Sequence, residues 1–116
     1  MLVEDDFILR AHLAELLMFE GYAVTCAADG AEALRRLHKE PPPSVILTDI
    51  LMPRLDGIAL RNALLQTSDF RDIPTIALTS LRDSGSLQSL HFSEVVKKPL
   101  DLDHLLESLA KLCPRA

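Results

Sequence analysis

Apolar residues recur along this chain with two alternating periods. In residues 7–20, Leu9, Leu13, Leu16 and Leu17 fall at helical spacing until Gly21 supplies a stop. Residues 31–39 set Ala33, Leu34 and Leu37 on one face behind the turn pair Asp29-Gly30. Residues 57–65 and 102–112 repeat the helical period. Between these stretches lie short runs of another kind: 1–4, 22–27 with the β-formers Tyr22, Val24 and Thr25, 45–49, 73–79, and Val95-Val96. Val45-Ile46-Leu47 is apolar without alternation, as a strand covered on both faces requires, and Pro41, Pro42 and Pro43 end the helix before it. Residues 82–90 are weaker. Ser84, Gly85, Ser86 and Ser89 lower helix propensity, the glycine alone by roughly 1 kcal/mol against alanine, so a short or frayed helix is expected there.

Strand and helix signals thus alternate through the whole chain without a linker. A series of βα units of this size predicts a parallel sheet wrapped on both faces, because each crossover returns right-handed over the sheet. The expected architecture is α/β: a flavodoxin-like, doubly wound, five-stranded parallel sheet in order 2-1-3-4-5, forming one domain over residues 1–116. Ligands in such sheets sit at the carboxyl ends of the strands, where the order reverses between strands 1 and 3.

Composition narrows the partners. A formal net charge of −5 and a pI near 5.2 argue against a surface that grips a phosphate backbone, so direct nucleic-acid binding is not expected. Cys26 and Cys113 lack CxxC or His spacing, which suits a reducing compartment. No basic leader, cleavage site or membrane-length apolar run is visible, and the cytoplasm is the default expectation. His12, His38, His91 and His104 lack metal-ligand spacing and are expected to face solvent.

The candidate chemistry lies at the strand ends. The run Ser-Val-Ile-Leu-Thr-Asp ends on Asp49, and an ionised carboxylate at the end of a buried strand is costly unless it faces a cation or a reactive partner. The predicted topology brings Glu4, Asp5 and Asp6, after the first strand, close to Asp49, after the third. Converging like charges raise one another's pKa unless a cation neutralises them, and an oxygen-only donor set suits a hard ion such as Mg²⁺, with Mn²⁺ as a substitute. Asp6 is read as a cap for the first helix, Asp56-Gly57 as a turn and helix start, and Lys97 as a surface lysine.

These residues carry a resemblance. Glu4-Asp5, Asp49, Thr79 and Lys98-Pro99, with Gly21-Tyr22, Val24, Ala27, Asp29-Gly30 and Glu32-Ala33-Leu34 between them, resemble the pattern of a response-regulator receiver domain of two-component signalling. The resemblance implies a phosphoacceptor role for Asp49, attacking the phosphorus of a phosphohistidine. It implies Mg²⁺ held by Asp5, Asp49 and the backbone carbonyl of Leu51, with Glu4 acting largely through water, and Lys98 and Thr79 contacting phosphoryl oxygens. The implied partners are a histidine kinase or histidine phosphotransfer protein and a downstream protein target. The domain would promote only its own phosphorylation and dephosphorylation, so it is not expected to be an enzyme. The end of the chain at Ala116 leads to the expectation of a stand-alone, chemotaxis-type receiver without an output domain.

Departures from the family pattern matter as much. The stretch between Thr79 and Lys98 is short, and Val95 stands where the family has a switch aromatic, with Phe92 nearby but out of register. A remodelled output face is therefore expected. The first strand lacks the residues that usually precede its Leu-Val, so a truncated strand is expected to weaken the central sheet. Leu51 and Leu81 are apolar where some relatives place hydrolytic water, which predicts slow self-dephosphorylation. Two other readings compete: a pseudo-receiver that only binds partners, and a Mg²⁺-dependent aspartyl phosphohydrolase. The last wants a second Asp two residues after the nucleophile, where this chain has Leu51.

Overall fold

Five parallel strands form one sheet in the computed structural model, which describes residues 1–80 and 91–113. They are β1 (Leu2–Val3), β2 (Cys26–Ala27), β3 (Ile46–Asp49), β4 (Thr75–Thr79) and β5 (Glu94–Lys97), in the order β2-β1-β3-β4-β5. The described helices are α1 (Phe7–Phe19), α2 (Gly30–Lys39), α3 (Gly57–Leu65) and α4 (Leu102–Leu112). The doubly wound α/β expectation and the strand order hold. The helix expected over 82–90, and Leu81 beside it, lie outside the described residues.

The alternation of side chains along each strand sorts the core into two layers. Leu2, Leu47, Ile76, Leu78 and Val96 point to one face, where Leu13, Ala14 and Leu17 of α1 and Leu105 and Leu109 of α4 cover them. Val3, Ala27 and Ile46 point to the other, against Ala33 and Leu37 of α2 and Leu60 and Leu64 of α3. A smaller cluster joins Ile50 and Ala77 to Ile58, Phe92 and Val95.

Strand lengths differ from expectation at the edges. β2 is only two residues long, because its sole neighbour β1 offers a ladder of the same length; the Leu2 amide donates to the Thr25 carbonyl at 2.8 Å and the Glu4 amide to that of Ala27 at 3.1 Å. β1 is indeed short, yet both of its residues are buried and it pairs on both sides. β4 begins at Thr75 because Pro74 has no N–H to donate, while its carbonyl still accepts from the Ile46 amide at 2.9 Å.

All four described helices start on an aspartate. Asp6, Asp29, Asp56 and Asp101 accept backbone N–H groups of α1, α2, α3 and α4 respectively, each cap contributing on the order of 1 kcal/mol. Asp6 and Asp56 thereby take the capping roles read from the sequence.

Candidate functional site

Glu4, Asp5 and Asp49 converge at the carboxyl ends of β1 and β3, where the strand order reverses. One carboxylate oxygen from each lies within 4.8 Å of the others. Asp49 closes β3, which is buried along its whole length, and its Oδ1 accepts the Ile50 amide at 2.8 Å. Glu4 follows β1 directly and is 1 % exposed, whereas Asp5, next in the chain, is exposed. Glu4 is tethered through both backbone and side chain: its carbonyl accepts from Arg10 Nη1 of α1 at 2.8 Å, and its Oε1 accepts from the Asp6 amide at 3.3 Å.

Lys98 comes in from the end of β5. Its ammonium lies 3.3 Å from Glu4 Oε2 and 3.3 Å from Asp49 Oδ2, bridging the two buried carboxylates. Its position follows from the ladder, since the Lys98 amide donates to the Thr79 carbonyl at 2.7 Å, and the peptide bond to Pro99 is cis. Lys97 is exposed, as a surface lysine should be. Thr79 ends β4, buried, opposite Lys97 in the register and one residue beyond Leu78, the partner of Asp49. Leu51 lies on the loop leaving Asp49, with its side chain 60 % exposed. All four histidines are exposed, His38 resting edge-on against Phe70.

Electrostatics match this packing. Burial, then the Asp49 charge, pushes the Glu4 carboxyl above its ordinary value of 4.5, and Lys98 offsets part of the rise. Burial by itself would lower the Lys98 ammonium, but the carboxylates of Asp49 and Glu4 outweigh it and hold it above its ordinary value. The lysine therefore stays charged, compensating only part of the local negative charge. Three carboxylates against one ammonium leave a donor set, all oxygen and partly open through Asp5, that fits a hard divalent cation.

Gly57 and Arg54 beside the site, and Arg61 at the amino end of β4, carry no functional signal in the motif pattern. Gly57 packs so close under β3 that a Cβ there would stand 2.3 Å from the Asp49 carbonyl oxygen. Arg54, with φ of 64°, pairs with the buried Asp29. Arg61 of α3 is 4 % exposed; it donates to Thr75 Oγ1 at 3.2 Å and to the His91 carbonyl at 2.9 Å, and its guanidinium lies 6.0 Å from the Phe92 ring centre. A lone charge inside the apolar helix Gly57–Leu65, next to Leu60 and three before Leu64, was the available signal for Arg61.

Fold and site together define a doubly wound α/β protein with an acidic cluster and a lysine at its switch point. The chain belongs to the response regulator receiver domain family, whose model matches residues 1–110. It is 37 % identical to the response regulator MprA of Mycolicibacterium vanbaalenii over 99 % of this chain and 50 % of that protein. It is also 37 % identical to MprA of Mycobacterium leprae, over 97 % of this chain and 50 % of that one. The chain thus spans about half the length of the curated relatives it matches. Among solved structures, the chemotaxis protein CheY4 of Vibrio cholerae superposes with a TM-score of 0.86 at 28 % identity, covering 96 % of this chain and 94 % of that one. A putative response regulator of Chloroflexus aurantiacus gives 0.85 at 28 % identity, covering 98 % and 96 %. The chain is thus a receiver domain of the kind found in response regulators of two-component signalling. No described helix is long and apolar enough to cross a membrane.

Proposed function

We propose that Asp49 accepts a phosphoryl group from a phosphohistidine of a histidine kinase or histidine phosphotransfer protein, and that the modified domain signals by protein contacts in the cytoplasm. The observation that carries this reading is the convergence of Asp49, Glu4, Asp5 and Lys98 at one strand-end site. An Asp49 carboxylate oxygen attacks phosphorus, the P–N bond breaks, and its electron pair returns to the imidazole nitrogen of the donor. Asp49 approaches an anion, so charge must be offset around it. Lys98, now shared between Asp49 and Glu4, is placed to give its ammonium to a phosphoryl oxygen as a compact point charge. Thr79, buried at the end of β4, supplies a hydroxyl to another. Asp5, Asp49 and the Leu51 carbonyl are the proposed holders of Mg²⁺, with Glu4 acting through water. The ion supplies neutralisation of phosphoryl charge. The protein contributes position and electrostatics and turns over no separate substrate.

The test is phosphotransfer from labelled histidine kinases and from a small-molecule acyl phosphate, with and without Mg²⁺. One phosphoryl group is expected on the parent chain and none on Asp49→Asn. Failure of every donor to label the parent would instead favour a receiver-like module that only binds partners, the reading to which Val95 in place of the switch aromatic lends support.

A further inference from the structure

The loop between β3 and α3 carries both Leu51, two residues past Asp49, and a left-handed arginine. Arg54 has φ of 64°, a region that side chains other than glycine occupy only at a cost, so something outside the loop must hold it there. Its Nη2 pairs with Oδ2 of Asp29, which is 1 % exposed and belongs to the start of α2. The same Asp29 caps α2 by accepting the Glu32 amide at 2.8 Å. That bond, against the cost of burial and with Arg54 adding to it, holds the Asp29 carboxyl below its ordinary value. One residue further on, the Gly30 amide donates to the Leu55 carbonyl at 2.9 Å, and a Cβ at Gly30 would stand 2.5 Å from that same oxygen. At the base of the loop the Gly57 amide donates to the Ile50 carbonyl at 2.9 Å.

The loop is therefore closed on itself at residues 50 and 57 and lashed to α2 at residues 54 and 55. Its remaining stretch is the segment that contains Leu51. We infer that Asp29 and Arg54 are positioning residues for divalent-cation binding: their ion pair fixes the loop that carries Leu51, two residues past Asp49, whose carbonyl is the proposed ligand. The inference rests on the proposed metal role of that carbonyl. It adds a control exerted from α2, an element that supplies no ligand itself. A buried carboxylate gripping an exposed arginine is suited to the task, because the buried end is rigid and sets where the loop must come.

A purely structural role for the pair makes a different prediction, and Arg54→Gly separates the two. Glycine adopts a φ of 64° freely, so the variant loses the ion pair and the backbone strain together. Mg²⁺ titration calorimetry and thermal melting in EDTA are run on the parent, Arg54→Gly and Asp29→Asn, with Asp5→Asn as control. Asparagine retains an acceptor for the Glu32 amide but not the charge. Both loop variants are expected to weaken Mg²⁺ about tenfold, as loss of an outer-shell partner does, while Arg54→Gly melts no lower than the parent. Unchanged Mg²⁺ affinity in both, with Asp5→Asn impaired, overturns the inference and leaves the metal site standing. An unaffected Asp5→Asn removes the metal site and the positioning role with it.

Discussion

The Lys98 ammonium lies between the Glu4 and Asp49 carboxylates, 3.3 Å from each, and only partly offsets the burial of Glu4. Because burial and Asp49 raise its pKa above 4.5, the folded protein holds the Glu4 proton more tightly than the unfolded chain does. Stability linked to this group is therefore fully present below the unfolded value and is lost as pH rises through the higher folded value. At neutral pH, above the unfolded value, this linkage therefore counts against the fold. Glu4→Gln is expected to melt above the parent at pH 7 in EDTA, the gap closing as pH falls below 4.5, while added Mg²⁺ raises the parent's melting temperature more than the variant's. Melts across pH with and without MgCl₂ check both expectations; a variant that melts lower at pH 7 would mean that the Lys98 pair outweighs burial. Asp49 was legible because it closes a strand the pattern predicts, and Lys98 because Lys98-Pro99 matches the family pattern. Asp29 and Arg54 were not legible as a pair, since nothing local tells which arginine a buried helix cap will meet.

The elements that build the site are held at close range by glycine. Gly57 begins α3 directly against the end of β3, and an alanine there would bring its Cβ to 2.3 Å from the Asp49 carbonyl oxygen and 2.8 Å from the Ile50 Cα. Both atoms are backbone, so neither can swing aside. Gly57→Ala is expected to lower the unfolding free energy by about 1–3 kcal/mol in urea denaturation and to slow phosphorylation by an acyl phosphate, because the strand end that presents Asp49 must shift. Helix bounds were read closely from the sequence, the starts of α1 and α3 especially, since an aspartate followed by helical apolar spacing marks them locally. Strand bounds at the edges were not. β2 stops at two residues because a ladder extends only as far as its neighbour, and the length of β1 is not written in residues 22–27.

Across the whole molecule Arg61 ties α3 to the start of β4 and to the turn before β5. Its bonds to Thr75 and His91 lie in a buried setting where a charged donor counts for more than at the surface. Arg61→Ala is expected to cost about 3 kcal/mol of unfolding free energy in urea, the scale of two hydrogen bonds from a charged donor. Phe92, beside the Arg61 guanidinium, packs with Val95, Ile50 and Ala77, so the aromatic displaced from the expected position still reaches the cluster next to Asp49. Sequence by itself determined the βα alternation, the strand order and the acidic candidates at the strand ends, because periodicity and strand-end placement are local signals that a parallel sheet converts into proximity, while Lys98 was legible through the family resemblance. Only the tertiary structure decided that Lys98 bridges Glu4 and Asp49, that Arg54 seeks Asp29, and that Arg61 is buried rather than solvated. Each of those depends on which side chain meets which across distant segments, and that is set by how the layers pack.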